Sequence, residues 1–365
     1  MGVRPGAMES MVMSGFWSSR NVLLTGHTGF KGSWLSLWLQ QAGARVTGLS
    51  LAPPTSPNLF EDARVAEGMT SITADVRRPD QLAPVFQGVQ PDVVFHLAAQ
   101  SLVRESYLHP AATYETNVMG VAHVLDAVRQ TPSVRAVVVV TSDKCYENRE
   151  WLWGYRECEA MGGHDPYSSS KGCAELVTSA YRRSFFSGGP AFVASARAGN
   201  VIGGGDWAAD RLIPDAVRAF RDRRPLRLRN PLAVRPWQHV LDCLRGYLLL
   251  AERLHAEGAP FADAWNFGPS DEDHMSVQGV IEHMGHAWGD GARWERDPDA
   301  HPHEAQSLRL DHTKARLRLG WRPVLSLKDA LRMTSDWYRA WATGKNMRPL
   351  TEQHIRYLEE HTPHP

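Results

Sequence analysis

Short apolar runs alternate with amphipathic stretches through the first half of the chain. The runs are rich in β-branched residues and have no polar alternation, which is typical of strands buried on both faces. Six such runs lie at 21–25, 45–51, 71–76, 92–99, 135–142 and 191–198. The alternation of strands and helices predicts an α/β fold built on a Rossmann-like, doubly wound parallel sheet.

The stretch after the first run shows the clearest helical pattern. Trp34, Leu35, Trp38 and Leu39 recur at the spacing of one helix face, and Gly43 supplies a stop signal. A buried helix is therefore expected directly after the first strand.

The pattern changes after residue 198, where a glycine-rich loop precedes mixed strand and helix patterns. This change predicts a ligand-binding Rossmann domain at 18–198 and a smaller, mixed α/β substrate domain at 199–350. The helical pattern at 236–256 predicts a segment that returns to the first domain, with a cleft between the two domains.

Composition narrows the class of protein. Lysines and arginines number 40 against 40 acidic residues, so no overall field attracts nucleic acid or a membrane. Four cysteines without CxxC spacing, and no apolar leader or membrane span, predict a soluble cytoplasmic protein. The histidines have no metal-site spacing, so no metal is expected.

The motif TGHTGFKG follows the first strand and opens the first helix. Gly26 permits a tight turn, Gly29 lets the backbone approach a pyrophosphate, and Gly32 allows close packing of helix and strand. The helix N-terminus then presents unpaired N–H groups to the phosphate charge. The motif predicts a dinucleotide-binding turn.

Residues at the ends of the second and third runs are candidates for contacts with the cofactor, and their roles are open. Asp75, at the end of the third run, either binds an adenine amino group or caps a helix. Ser50 ends the second run, where NAD proteins usually carry an acid. No arginine pair for a 2′-phosphate is evident there, so NAD is favoured.

The segment YSSSK places Tyr167 and Lys171 one helical turn apart. An ammonium beside a phenol is expected to lower the phenol pKa from about 10 toward neutrality. A phenolate can then accept a hydroxyl proton while hydride leaves the same carbon for a nicotinamide.

The segment TSDK ends the fifth run, at the sheet edge where open α/β folds bind ligands. Ser142 is expected to hydrogen-bond the reacting hydroxyl alongside Tyr167. A helix-capping role for Ser142 and Asp143 is the structural alternative.

Longer motifs extend this pattern over nearly the whole chain, from about residue 21 to about residue 337. They are TGHTGFKGSWL, HLAAQSLVRESY, TSDKCYEN, EAMGGHDPYSSSKGCAELV, ARAGNVIGGGDW and RPWQHVLD. With them the chain resembles the extended short-chain dehydrogenase/reductase family of nucleotide-sugar enzymes, and within it the branch that dehydrates CDP-glucose.

The resemblance implies an NAD-binding Rossmann domain, a nucleotide-sugar-binding C-terminal domain and a 4,6-dehydratase reaction. Tyr167 would take the proton of the sugar 4-hydroxyl, with Lys171 supporting the phenolate and the nicotinamide ribose. Asp143 matches the acid that protonates the departing 6-hydroxyl. Lys144 matches the base for the C5 proton, or stays charged and stabilises the enolate.

The resemblance also implies further contacts. The remaining cofactor-binding residues are His27, Phe30, Val76, Leu97, Ala98, Ala99 and Asn117, and the substrate-binding residues are Arg104, Asn200, Arg235 and His303. Asn117 is either structural or a proton relay near the tyrosine. Arg104 and His303 either line the sugar pocket or lie at the surface.

The resemblance further implies a homodimer or dimer of dimers and a role in deoxysugar biosynthesis. A 4-epimerase on the same scaffold would keep Tyr167 and Lys171 but has no need of an acid at Asp143. Dehydratases of other sugar nucleotides usually have Asp-Glu where this chain has Asp-Lys. A non-catalytic NAD sensor commonly lacks the tyrosine or the lysine.

Overall fold

The computed structural model describes residues 15–273, 275–289, 291–299 and 308–363. Its strands are β1 (Asn21–Thr25), β2 (Arg45–Ser50), β3 (Thr70–Thr73), β4 (Val93–His96), β5 (Ala136–Val140), β6 (Phe192–Ala198), β7 (Asn200–Ile202), β8 (Leu226–Leu228), β9 (Val234–Arg235), β10 (Trp237–His239), β11 (Ala264–Phe267), β12 (Met275–Ser276) and β13 (Trp294–Arg296). Its α-helices are α1 (Phe30–Gln41), α2 (Leu59–Asp62), α3 (Pro79–Val89), α4 (Val103–Leu108), α5 (Pro110–Tyr114), α6 (Gly120–Arg129), α7 (Pro166–Phe185), α8 (Leu212–Arg221), α9 (Val240–Glu257), α10 (Val277–Trp288), α11 (Leu327–Ala342) and α12 (Met347–His361).

A seven-stranded sheet with the order β11-β6-β5-β4-β1-β2-β3 forms the centre of the fold. All of its neighbouring strands are parallel. The strand order reverses beside β1, which is the topological switch point where such sheets bind ligands. The predicted doubly wound parallel sheet is confirmed.

The sheet is buried on both faces along β1, β2, β4, β5 and β6, as their apolar runs predict. The same expectation is wrong for β3, whose residues are mostly exposed because this strand forms an edge of the sheet. In β5, Val138 and Val140 face one hydrophobic cluster, while Val137 and Val139 face another. This alternation follows from the two-residue period of a strand. Helices α1, α9, α11 and α12 contribute to the first cluster, and α3, α6 and α7 contribute to the second.

Three of the predicted strands end earlier than expected. Strand β3 ends at Thr73, β4 at His96 and β5 at Val140, each two or three residues before the end of its apolar run. The extra apolar or small residues leave the ladder and line a cleft, so their burial no longer comes from sheet pairing. Hydrophobic pattern alone does not separate these two kinds of burial.

The second half of the chain contributes to the central sheet. Helix α9, which covers most of the predicted returning segment 236–256, packs against β5 and β6. Strand β11 pairs with β6 at the edge of the sheet although it lies within the segment 199–350. The division at residues 198 and 199 therefore stays a prediction.

Three small two-stranded sheets, β10-β7, β12-β9 and β13-β8, lie beyond the central sheet. Strands β7, β8, β9 and β10 of these sheets contribute residues to the wall of a cleft. Among the described residues, no helix has both the length and the apolar character required to cross a membrane.

A buried histidine pair joins α12 to the rest of the core. The ring of His354 stacks on Trp34 of α1 with a centroid distance of 6.3 Å, and its centroid lies 6.5 Å from that of His239. Burial lowers the pKa of His354 from 6.5 to about 4 and the pKa of His239 to about 3. Both rings are therefore neutral in the folded protein at neutral pH.

Replacement of His354 by Gln is expected to flatten the acid side of the stability profile. A histidine with a lowered folded-state pKa costs no stability above pH 6.5 and destabilises progressively as the pH falls from 6.5 toward 4. The variant should lose about 3 kcal/mol less unfolding free energy than the wild type between pH 7 and 4. Urea unfolding at a series of pH values measures this difference.

The control is His361→Gln, which changes an exposed histidine on the same helix. This variant should show the same decrease of unfolding free energy with falling pH as the wild type. Equal acid slopes in the wild type and the His354 variant would contradict the interpretation of a buried neutral pair.

Candidate active site

A cleft of about 1090 Å³ opens at the carboxyl ends of the central strands. It lies between the seven-stranded sheet and strands β7, β8, β9 and β10. Pockets that bind a drug-sized ligand have volumes of about 300–1,000 Å³, so the cleft is large enough for a sizeable ligand. Many of its wall residues come from the segments that follow β1, β3, β4 and β5. This location agrees with the rule for open parallel sheets.

The glycine turn forms one wall of the cleft. Gly26 has a φ of +79°, and a Cβ built there would lie 2.7 Å from the backbone nitrogen of Ala98. A Cβ on Gly32 would lie 2.1 Å from the carbonyl oxygen of Gly26. The chain therefore requires glycine at both positions to bring β1, α1 and the residue after β4 together.

Helix α1 begins after Gly29, a residue with no side chain to cap it. Its first residues Phe30, Lys31 and Gly32 line the cleft. The first N–H groups of a helix have no intrahelical partner and favour a negative charge. These residues fit the pyrophosphate of a dinucleotide.

The predicted adenine end of the cleft contains two local hydrogen-bond networks. The carboxylate of Asp75 accepts hydrogen bonds from Arg77, whose Nη2 donates at 2.6 Å, and this lowers the pKa of Asp75. On the other side, the hydroxyl groups of Thr28 and Ser50 are 2.8 Å apart. Ser50 therefore offers a hydroxyl where NAD proteins usually have a carboxylate.

Val76, Leu97, Ala98 and Ala99 also line the cleft, as predicted. The backbone N–H of Ala98 donates to the hydroxyl of Thr25 at 3.2 Å, which holds this segment beside the end of β1.

Two predicted cofactor residues lie behind the wall of the cleft. His27 is buried, with Nε2 2.7 Å from the hydroxyl of Ser71. Asn117 occupies a π-helical turn, Glu115–Met119, between α5 and α6. Its amide nitrogen donates to the hydroxyl of Ser170 at 2.9 Å, and its Oδ1 accepts from the backbone of Gln100. These contacts support the structural role of Asn117, which holds Ser170, the residue before Lys171.

Helix α7 brings Tyr167 and Lys171 to the floor of the cleft. The helix begins after Asp165, whose carboxylate accepts from the backbone N–H of Ser168, and Pro166 is suited to its first turn. Tyr167 and Lys171 are both buried and both line the cleft.

Burial determines the charge state of this pair in the protein alone. It raises the pKa of Tyr167 to about 12, against opposing effects of the Ser142 hydroxyl and the Arg211 charge. It also lowers the pKa of Lys171 to about 8, with the charge of Lys31 acting in the same direction. The expected decrease in the tyrosine pKa is wrong for the protein alone because desolvation outweighs the Ser142 hydrogen bond and the Arg211 charge.

Asp143 lies directly after β5 and is almost completely buried. Burial raises its pKa, although Lys144 and a hydrogen bond from Ser142 favour the ionised form. Ser142 donates to Oδ1 at 2.9 Å, while Oδ2 has no hydrogen-bond partner among the described residues. A carboxyl group in this state can hold a proton and donate it into the cleft.

Lys144 also lines the cleft but is only half-buried. The base hypothesis depends on desolvation of the amine, and this exposure makes the desolvation partial. The structure therefore keeps both hypotheses for Lys144, the base and the enolate-stabilising cation.

Two of the predicted substrate residues lie on the small sheets that border the cleft. Arg235 ends β9, Asn200 begins β7, and both are half-buried in the cleft wall. Arg104 is more exposed and pairs with Asp210 at 3.1 Å, which links α4 to the segment before α8. His303 lies outside the described residues.

Sequence reasoning missed three charged residues near the reacting groups. The charge of Lys31 lowers the pKa of both Lys171 and Asp143. The charge of Arg211 favours the ionised form of Tyr167. Its guanidinium donates hydrogen bonds to Asp206 and to Ser101, both at 2.9 Å. Glu175 lies one turn beyond Lys171 on α7. Its i+4 spacing from the lysine was the available signal for Glu175, whereas Arg211 shows no spacing signal.

Within the described ranges, no group of three or more histidine, cysteine, aspartate or glutamate residues is placed to hold a metal ion.

A Rossmann sheet, a glycine turn and a Tyr-x₃-Lys pair beside a serine define a short-chain dehydrogenase/reductase type of enzyme. The sequence model of the GDP-mannose 4,6 dehydratase family matches residues 23–334, and the chain belongs to this family. A CDP-glucose 4,6-dehydratase of Salmonella typhimurium is 53% identical over 344 residues, which cover 92% of this chain and 95% of that protein.

Solved structures show the same fold at low sequence identity. The dTDP-glucose 4,6-dehydratase of Bacillus anthracis in complex with NAD has a TM-score of 0.75 and 21% identity, covering 91% of this chain and all of that chain (100%). The UDP-glucose 4-epimerase of Thermotoga maritima with UDP-glucose has a TM-score of 0.77 and 20% identity, covering 88% and 99%.

Replacement of Gly32 by Ala is expected to weaken dinucleotide binding at least tenfold. The new Cβ overlaps the carbonyl of Gly26, so the turn must move away from the position that faces a pyrophosphate. Calorimetric titration with NAD measures the affinity. The matched control is Gly88→Ala on α3, where a Cβ meets nothing within 4 Å and binding should not change. Equal NAD affinities in the two variants would contradict the assignment of the turn.

Proposed function

We propose that this protein is a CDP-glucose 4,6-dehydratase that uses NAD to convert CDP-glucose to CDP-4-keto-6-deoxy-glucose. The observation that carries the proposal is a buried carboxyl group, Asp143, beside the tyrosine and lysine of a dehydrogenase site. An acid at this position serves loss of water and has no role in epimerisation. The 53% identity to the Salmonella typhimurium enzyme supports the choice of CDP-glucose.

NAD, when bound, would accept a hydride from C4 of the sugar and later return it to C6. Gly26, Gly29 and the first turn of α1 would hold its pyrophosphate, with Asp75 and Ser50 toward the adenosine. Lys171 would contact the nicotinamide ribose, as the family resemblance implies.

The residues of the chain perform the proton transfers. Tyr167 removes the proton of the 4-hydroxyl, and Ser142 orients that hydroxyl. Burial raises the pKa of Tyr167 to about 12 even though the charge of Arg211 opposes this shift. Formation of the phenolate therefore requires further positive charge, which we assign to Lys171.

The resulting 4-ketone acidifies the C5 proton, so that water can leave across C5 and C6. Asp143 protonates the departing 6-hydroxyl, and its raised pKa keeps the proton available. Lys144 either removes the C5 proton and later returns a proton to C5 as the hydride reaches C6, or stays charged and stabilises the enolate while another group moves this proton. Arg235 and Asn200 would hold the diphosphate of the substrate, since a guanidinium suits phosphate geometry.

We also propose a homodimer or dimer of dimers and a reducing, cytoplasmic location. Exposed apolar side chains on α7 and on the turn before α6, Leu176 and Met119, support pairing through these elements. The four cysteines, all within the described residues, are free thiols, as is usual in a reducing compartment.

Incubation of the enzyme with CDP-glucose and catalytic NAD is expected to yield a sugar nucleotide lighter by one water, without accumulation of NADH. Mass spectrometry detects the product, and parallel reactions with UDP-, GDP- and dTDP-glucose establish the base preference. Tyr167→Phe should abolish conversion because the proton acceptor is lost. A changed hexose of unchanged mass would instead show an epimerase, and absence of any conversion with NAD bound would favour a sensor.

Replacement of Asp143 by Asn is expected to slow loss of water at least a hundredfold while leaving oxidation at C4 measurable, because general acid catalysis contributes about 10²–10⁴-fold. In D₂O, recovered substrate should still acquire deuterium at C5. Mass spectrometry of the recovered CDP-glucose measures this exchange. Loss of exchange together with loss of elimination would contradict a simple acid role.

A further inference from the structure

Glu175 lies on α7 one turn after Lys171 and two turns after Tyr167. Residues at this spacing share one face of a helix. Glu175 is 3% exposed, so its carboxylate is buried one helical turn from Lys171.

Both oxygens of this carboxylate accept hydrogen bonds from outside the helix. The hydroxyl of Thr141, which follows β5, donates to Oε1. Ser195 and Arg197 of β6 donate to Oε2, at 2.7 Å and 2.8 Å. Glu175 therefore links α7 to β6 and to the residue that precedes Ser142.

The carboxylate is ionised in the folded protein. Burial opposes ionisation, but the charge and hydrogen bond of Arg197, with those of Thr141 and Ser195, lower the pKa of Glu175 below its usual value. A buried ion pair contributes little net stability, because desolvation offsets the attraction between its charges. Stability alone therefore does not account for this pair beneath the reacting groups.

The groups around Lys171 show how the Glu175 carboxylate affects the protonation of this lysine. Burial and the charge of Lys31 disfavour the ammonium, while Glu175 and Cys145 favour it. His96 also lies near Lys171, and burial lowers its pKa to about 3, so this ring is neutral.

Cys145 and Tyr167 are uncharged as well. Burial raises the pKa of the Cys145 thiol well above its usual value and the pKa of Tyr167 to about 12. Among these neighbours of Lys171, Glu175 is consequently the group that carries a negative charge at neutral pH.

We propose that Glu175 is a positioning residue of the dehydratase site, which keeps the Lys171 ammonium protonated and fixes α7 against the segment that carries Ser142 and Asp143. The role of Glu175 in catalysis rests on the proposed function. The effect on the charge of Lys171 does not depend on the substrate.

A direct test is an NMR titration of the enzyme labelled with ¹³C at the lysine side chains. The chain has six lysines, and Lys171→Met assigns the resonance of interest. In Glu175→Gln the pKa of Lys171 is expected to fall by at least one unit from its wild-type value. Glu175→Asp, which keeps the charge, should restore most of the shift.

The matched control is Ser195→Ala, which removes one hydrogen bond from the same carboxylate and leaves its charge. Lys171 should titrate there as in the wild type. A Lys171 that titrates at the wild-type pH in Glu175→Gln would overturn the proposal.

Glu175→Gln leaves Arg197 buried without its charged partner, which can prevent folding. A second variant therefore keeps the proposal testable. The double substitution Glu175→Gln with Arg197→Met removes both charges. The Lys171 pKa should still fall, by a smaller amount because the charge of Arg197 is also lost. If only the double variant folds, an unchanged Lys171 pKa in it would overturn the proposal.

The pH profile of kcat with CDP-glucose gives the catalytic readout. In Glu175→Gln the alkaline limb should move to lower pH, with kcat at pH 8 reduced at least fivefold and KM unchanged. A purely structural role predicts a lower Tm with an unmoved alkaline limb. Absence of turnover in the wild type would contradict the proposed function and leave the NMR result to decide the role of Glu175.

Discussion

The burial of ionisable side chains along one face of helix α7 is the constraint on which this site depends. Tyr167, Lys171 and Glu175 occupy successive turns, and the rest of the fold supplies the groups that make their burial tolerable. Arg197 from β6 balances the glutamate. The pairing of β5 with β6 places Thr141, Ser195 and Arg197 within hydrogen-bond distance of Glu175.

Desolvation acts on acids and bases in opposite directions, and the cleft uses both effects. It raises the pKa of Asp143 and of Tyr167, and it lowers the pKa of Lys171. A proton donor for a leaving hydroxyl benefits from the first change, whereas a phenolate base is hindered by it. Nearby positive charge opposes this desolvation, from Lys31 at Asp143 and from Arg211 at Tyr167.

The cleft depends on both halves of the chain. The glycine turn and the segments after β3 and β4 form the side suited to a dinucleotide, while Asn200 and Arg235 come from the small sheets opposite. Links such as Arg104 to Asp210 and Arg211 to Ser101 join the two sides. Because β11 and α9 pack with the central sheet, the second half also supports the floor on which the chemistry takes place.

The sequence by itself determined the parallel sheet, helix α1, the glycine turn and the placement of Tyr167 and Lys171. These features depend on contacts between residues close in the chain, or on periodicity within one element. The tertiary structure decided where β3, β4 and β5 end, that β11 joins the sheet, and that His27 and Asn117 lie behind the wall. It also decided the pairing of Glu175 with Arg197 and the position of Arg211 near Tyr167. Such pairs come from distant segments, and their charge states depend on burial, which local pattern does not specify.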